Sequence, residues 1–385
     1  MSGRWSSAGD SRSPTHLTDF FGGGALTSLR DHLLPGLWPM LVAFAVCALV
    51  VPLAIVLSRR SGLIAQPGGR HAHSKPTPLL GGLAMYVGFA AGVVIFLPQY
   101  TYTPGLLIVS GLATALLIID DRRSMSPWLK FAVQVFLSLV AVVVFGIEIK
   151  FVSLPGSHVV QLGLLVTPVS MFWLLGMQNT VNFLDGVDGL AAGVIFIVAL
   201  VLMLAAGELR DVEVVKLSGA LAGTCAGFLL FNFHPARIFM GDSGAHFLGI
   251  ALGMISILGV AKVAVAFALA VPVIALAVPI ADTAWAILRR RRQKASVATA
   301  DLLHLHHRLQ GFGLDARQTC FVFYAASALL GALGLTLFGH GRVLAVVVVV
   351  TAVLVSTVVA DLLQHAAWRV PAPFVRRLLG TSSSR

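Results

Sequence analysis

The sequence predicts an all-α polytopic integral membrane protein, with about eleven transmembrane helices and one small β-hairpin on the non-cytoplasmic side. Three observations carry that prediction. Hydrophobic residues make up 57% of the 385 positions and charged residues 11%, against about 25% charged in a soluble domain. The mean hydropathy is +0.91, more apolar surface than one soluble core of this size hides. The apolar residues also fall in separate runs, many of them long enough to cross a hydrocarbon layer of roughly 30 Å. Water-soluble fold classes are thereby excluded.

Residues 1–36 are polar and rich in Ser and Gly, and are expected to form a mostly disordered arm. No apolar core lies near Met1, so the arm does not resemble a secretory signal. The membrane domain is expected over 37–363. Its apolar runs lie at about 37–57, 79–97, 103–119, 128–146, 165–183, 190–206, 215–231, 245–259, 263–281, 318–338 and 343–363. Each must be a helix, because lipid cannot satisfy an open backbone. Residues 147–165 alternate in part between apolar and polar around Pro155-Gly156, the pattern of a hairpin at the membrane surface. Residues 364–385 read as a basic cytoplasmic tail.

Charge sets the expected orientation. The gaps 58–78, 120–130, 184–189, 232–244 and 282–317, together with the tail, hold 19 of the 27 Lys and Arg residues. That side is expected to face the cytoplasm. All three Glu residues (Glu148, Glu208, Glu213) fall on the other side. The formal charge of +11 does not point to nucleic acid, because the basic residues sit in short gaps between apolar runs. Cys47, Cys225 and Cys320 each lie inside an apolar run, with neither disulfide nor metal spacing.

Five segments on the basic side could carry chemistry. Asp120 and Asp121 end an apolar run. Adjacent carboxylates repel, so the pair needs a cation or a shared proton; the alternative is two interfacial acids neutralised by Arg122 and Arg123. In the segment 179–190, Asn179, Asn182 and Asp185 fall three apart, on one helix face. Gly186 and Gly189 then break the helix beside Asp188. Oxygen ligands on such a turn suit a hard cation, or hydrogen bonds to a nucleobase. In 232–244, Asp242 sits between two glycines just before a span, where a helix N-terminus favours phosphate. The same G-D-S-G surrounds a protease nucleophile, but the two-barrel β domain such a protease needs is missing. In 301–308, His304 and His307 share a helix face and His306 turns away. Imidazoles beside Arg308 could bind a diphosphate, or the segment is a solvated basic loop. Lys75, on a Pro-stiffened loop, is a plausible phosphate contact. Neither nucleotide-binding glycine loop is present.

Taken together, HSKPTPLLGGLAMY, DDRRSMSPWLKFAVQ, NTVNFLDGVDGLAAG, GFLLFNFHPARIFMGDSG, PIADT with RRRR, and HLHHRL resemble the polyprenyl-phosphate N-acetylhexosamine-1-phosphate transferases. The resemblance covers about 58–330, and HLHHRL looks like the WecA/TagO-like branch of that superfamily. It implies a bacterial plasma-membrane enzyme with a cytoplasmic active site. A UDP-N-acetylhexosamine, expected to be UDP-GlcNAc, would meet undecaprenyl or another polyprenyl phosphate; the sugar 1-phosphate would transfer and UMP would leave. This is the first membrane step of a cell-envelope glycan. The resemblance implies Mg²⁺, with Mn²⁺ as an alternative, and admits a homodimer.

It also implies roles for single residues. Asp242 and Asn182 match metal-site positions. Asp120 and Asp121 match paired aspartates proposed to deprotonate the lipid phosphate or to assist the metal. Asp185 and Asp188 match positions linked to uridine or to site organisation. Asn232 and Phe239 match the nucleoside side of the pocket. Lys75, His304, His306 and His307 match groups around the diphosphate and sugar. Gln66, Leu302, Ala245 and Thr180 depart from the family's usual residues, and none of them removes an implied ligand. Two rivals remain at this stage: a transporter of an anionic substrate and a lipid-diphosphate phosphatase. A transporter would place its polar site near the bilayer midplane, whereas the Asp and His residues here cluster at span ends. The transferase reading requires Asp121 and Asp242, far apart in the chain, to meet in one pocket.

Overall fold

The computed structural model describes residues 23–66, 76–154, 158–262 and 316–337. Seven of its helical segments are long and apolar enough to cross a membrane. Helix α1 (Gly23–Ser61) contains Pro35, Pro39 and Pro52. It corrects one expectation: the arm drawn over 1–36 is helical from Gly23 onward. Ala25, Leu26, Leu29 and Leu33 recur at helical spacing, so the segment has an apolar stripe despite its polar composition.

Two short strands follow, β1 (Ile64–Ala65) and β2 (Thr77–Pro78), paired antiparallel. Next come α2 (Gly81–Phe96), apolar but shorter than the seven spanning segments, and α3 (Thr103–Arg123). Ser126 caps α4 (Pro127–Leu139), its hydroxyl accepting from the Leu129 N–H at 3.3 Å. That helix continues as a π-helical turn over Val140–Val144. Strands β3 (Phe151–Leu154) and β4 (His158–Gln161) form the expected antiparallel hairpin. Helices α5 (Val166–Leu184), α6 (Leu190–Glu208), α7 (Val212–Asn232), α8 (Gly241–Lys262) and α9 (Ala316–Leu337) complete the described chain. The spans expected at 318–338 and at the first eight positions fall on these helices. Those at 263–281 and 343–363 lie outside the described residues.

Two close approaches organise the bundle. Gly219, Gly223 and Gly227 form a stripe on α7, and a Cβ added at Gly223 would sit 2.0 Å from the Met40 carbonyl oxygen. The α1 backbone therefore lies directly on α7, the small-residue contact that membrane helices use in place of a hydrophobic drive. On the other side, a Cβ at Gly82 would sit 2.4 Å from the Gly244 nitrogen, so α2 and α8 touch near their N-termini. Among the described residues helix α8 is almost wholly buried by its neighbours. The ends of α3, α5 and α7 and the starts of α2, α4, α6, α8 and α9 all meet around its N-terminus, which makes that end of the bundle the place to look for chemistry.

Candidate active site

The start of α8 is built on an anion. Asp121, from the last turn of α3, accepts from the Asp242 N–H at 2.7 Å and from the Ser243 N–H at 3.2 Å. A carboxylate here satisfies two of the donors a helix leaves free and suits the positive end of its dipole. Gly241 is required beside it: its φ is +69°, and a Cβ would sit 2.6 Å from Asp121 Oδ2. Both oxygens of Asp121 are thus occupied by main chain, and the two residues expected to meet do so.

Asp242 itself is held from two sides. Asn182 Nδ2, in the last turn of α5, donates to its Oδ1 at 2.6 Å. Lys130 Nζ, from α4, lies 2.5 Å from its Oδ2 and 3.1 Å from Asp120 Oδ2. The other oxygen of Asp120 accepts from the Met125 N–H at 2.5 Å. Asp120 is nearly closed to solvent, with 4% of its side chain exposed, while Asp242 keeps 34%. Only Asp242 of this pair presents carboxylate to the cleft. Among the described residues the cation beside them is Lys130; Arg122 and Arg123 are exposed. The sequence reading did not single out Lys130. Its signal was available: it is the one charged residue in α4, PWLKFAVQVFLSL.

The turn after α5 adds two more acids. Asp185 makes no side-chain hydrogen bond among the described residues. Burial first, and then repulsion from Asp242, Asp121 and Asp188, pushes its carboxyl up to about 8. Asp188 is tied down: His234 Nδ1 donates to its Oδ2 at 2.9 Å, and the Ala236 N–H donates at 3.1 Å. Helix α9 is fastened to the same turn. Arg317 Nε donates to the His234 carbonyl, Cys320 Sγ to the Asp188 carbonyl and the Tyr324 hydroxyl to the Gly189 carbonyl.

Asn232 and Phe239 come to this region in different ways. Asn232 is buried, and its amide is consumed by main chain: it accepts from the Gly189 N–H at 3.0 Å and donates to the Ile238 carbonyl at 2.9 Å. It clamps the Asp185–Gly189 turn to the loop before α8. Asn232→Leu is expected to strand both main-chain groups and to cost about 2 kcal/mol, read as a lower melting temperature in detergent. Phe239 is half-buried, and its main chain bridges the Pro78 carbonyl and the Gly81 N–H. Lys75, His304, His306 and His307 lie outside the described residues.

Among the described residues, the donors at the cleft are oxygens. Asp242, Asn182 and Asp185 offer carboxylate and amide oxygen, the chemistry of a hard cation. Among the described residues no three His, Cys, Asp or Glu side chains converge as a ready-made metal cluster. Among the described residues the Asp side chains at the cleft nevertheless outnumber the one Lys, and the repulsion that joins burial in pushing Asp185 up to about 8 is one that a divalent cation would offset.

Residues 103–260 match the model of glycosyl transferase family 4. A Bacillus subtilis (strain 168) protein described as "Probable undecaprenyl-phosphate N-acetylglucosaminyl 1-phosphate transferase" is 37% identical over 292 residues, covering 74% of this chain and 81% of the relative. The chain belongs to glycosyl transferase family 4. The decaprenyl-phosphate N-acetylglucosaminephosphotransferase of Mycolicibacterium smegmatis is 34% identical over 368 residues, covering 85% of this family 4 chain and 89% of the relative. A phospho-N-acetylmuramoyl-pentapeptide-transferase of Heliobacterium modesticaldum is 33% identical over 318 residues, covering 78% and 97%. The family match spans α3 to α8, the helices that supply Asp120, Asp121, Lys130, Asn182, Asp185 and Asp242.

Proposed function

We propose that this chain transfers N-acetylglucosamine 1-phosphate from UDP-N-acetylglucosamine to undecaprenyl phosphate or another polyprenyl phosphate, releasing UMP. The site would face the cytoplasm of a bacterial plasma membrane, the hairpin the opposite side. One observation carries the reading: Asp120, Asp121, Asp242 and Lys130 meet at the end of an apolar bundle, where a membrane-held acceptor phosphate and a soluble nucleotide could both arrive. Relatives named for polyprenyl-phosphate substrates support the choice of acceptor.

In this reading an oxygen of the lipid phosphate attacks the β-phosphorus of the nucleotide sugar. The bond from that phosphorus to the bridging oxygen breaks, and UMP departs with the electron pair. A phosphate monoester with a second pKa near 6 is already largely ionised at pH 7, so the acceptor needs no strong base. The aspartates are then positioning groups. Asp120 holds Lys130, and Asp121 holds the start of α8. Lys130 and Asp242 face the reacting phosphates, where a fixed cation lowers the repulsion between two anions. Asp242, with Asn182 and Asp185 beside it, would hold Mg²⁺ (or Mn²⁺). When bound, the ion supplies charge neutralisation on the diphosphate oxygens. His304, His306, His307 and Lys75 are assigned to the sugar and diphosphate by their motifs, and Phe239 to the nucleoside.

The test is purified protein in detergent with labelled UDP-N-acetylglucosamine and a polyprenyl phosphate. A lipid-linked labelled product and UMP in equal amounts, both lost with EDTA and restored with Mg²⁺, is the expected result. Release of free phosphate from a lipid diphosphate, with no lipid-linked sugar formed, would overturn the reading. A panel of UDP-sugars then fixes the donor.

A further inference from the structure

Below the site lies a second polar layer on the same three helices. One turn along α8 from Asp242, His246 is fully buried. Its Nδ1 lies 2.8 Å from the Asp242 carbonyl oxygen, and its Nε2 lies 2.8 Å from Gln134 Nε2. Gln134, on α4, is also buried. Its Oε1 accepts at 2.8 Å from Asn179 Nδ2 on α5, which donates as well to the Leu175 carbonyl at 2.8 Å. These partners repeat those of the site one turn deeper. Lys130 and Gln134 are four apart on α4, Asp242 and His246 four apart on α8, and Asn179 and Asn182 three apart on α5, so each pair shares a helix face.

The chain of bonds has one consistent direction. A carbonyl only accepts, so His246 Nδ1 must carry the proton that faces Asp242 O. The neutral ring then presents Nε2 as an acceptor, which Gln134 Nε2–H fills. That orientation leaves Gln134 Oε1 for Asn179. Reversing any member would set two donors or two acceptors face to face, in surroundings where an unmatched polar group is expensive.

We propose that His246 and Gln134 are positioning residues: their buried rung fixes the rotation of α8 against α4 and α5, and so holds the Asp242 carboxylate between Lys130 and Asn182. This deepens the transferase reading and rests on it. Neither side chain reaches the cleft, so neither is a catalytic residue. Tight packing alone would hold the helices together; the rung sets which way Asp242 points.

The test uses the full-length protein. His246→Leu and Gln134→Met are each expected to lower kcat about tenfold to a hundredfold, with the KM for the nucleotide sugar and the melting-temperature shift caused by UMP unchanged. The double variant should lose no more than the worse single variant, because the rung acts as a unit. His246→Gln, which keeps an amide oxygen for Gln134, should recover most of the loss. A second readout needs no turnover: the Mg²⁺ concentration that half-maximally raises the melting temperature should increase in both single variants. Wild-type kcat in both single variants, or losses that multiply in the double variant, would overturn the proposal while leaving the transferase reading intact. If His246→Leu does not fold, Gln134→Met decides alone, since Met keeps the shape of Gln and removes both of its bonds. Absence of any lipid-linked product from the wild-type protein would overturn the underlying reading instead.

Discussion

Asp242→Asn is expected to lose turnover by about a thousandfold or more while the protein stays folded. The reason lies in how its two oxygens are used. Oδ1 receives Asn182 and Oδ2 receives Lys130, and of the Asp120–Asp242 pair only Asp242 is substantially open to the cleft. Asparagine keeps the shape and one oxygen, so Asn182 retains an acceptor. The new amide nitrogen would face the Lys130 ammonium, donor against donor, and the side chain must turn away. Lys130 then falls back on Asp120, which is already 3.1 Å away. Folding is spared because the substitution also removes a negative charge from a crowd of carboxyl groups, and like charges in one site repel. The measurement is labelled lipid product at saturating Mg²⁺, beside size-exclusion chromatography and a melting curve. Turnover within threefold of wild type would remove Asp242 from the chemistry. A collapsed melting temperature would mean that its role is to hold the fold.

The main features of the fold were legible because lipid leaves the backbone little choice. Nine expected spans fall on described helices, and the hairpin appears where alternation around Pro155-Gly156 placed it. The helical start at Gly23 was missed for a physical reason. Composition averages over the segment, whereas a stripe of Ala25, Leu26, Leu29 and Leu33 is a matter of spacing. The site was legible as a set of motifs but not as a division of labour. Adjacent aspartates at 120 and 121 look equivalent in sequence. In space Asp120 is a counter-ion for Lys130, whereas Asp121 is an N-terminal cap for a helix more than a hundred residues later. Asn232 reads as a ligand in its motif, yet its amide clamps two loops together. Lys130, Gln134 and His246 were hard to read for the opposite reason: each is one of a few polar residues in a largely apolar helix, and only the packing of α4, α5 and α8 shows that they face one another.

Lys130→Met is expected to damage both activity and stability, unlike Asp242→Asn. Methionine keeps the unbranched stem and its packing in α4 but deletes the ammonium. Asp120 Oδ2 and Asp242 Oδ2 would then lose their shared cation. Asp120 is nearly closed to solvent, and what remains to it is the Met125 N–H and the neighbouring Asp242 carboxyl, neither of which is a cation. Removing one partner of a buried ion pair costs on the order of 3 kcal/mol, so the melting temperature in metal-free buffer should fall clearly. Mg²⁺ should recover part of that fall, since a divalent ion at Asp242 replaces some of the lost charge, but it should not restore turnover, because the fixed cation between acceptor and donor phosphates is gone. Lys130→Arg separates the two effects: it restores a cation and with it most of the stability, while the larger planar head fits a bridge between two point contacts less well, and kcat should stay about tenfold or more below wild type. The experiment is a pair of melting curves with and without Mg²⁺, alongside kcat for both variants. Lys130→Met with unchanged stability would show that Asp120 and Asp242 are neutralised by something other than this lysine, and the roles assigned to both aspartates would fall with it.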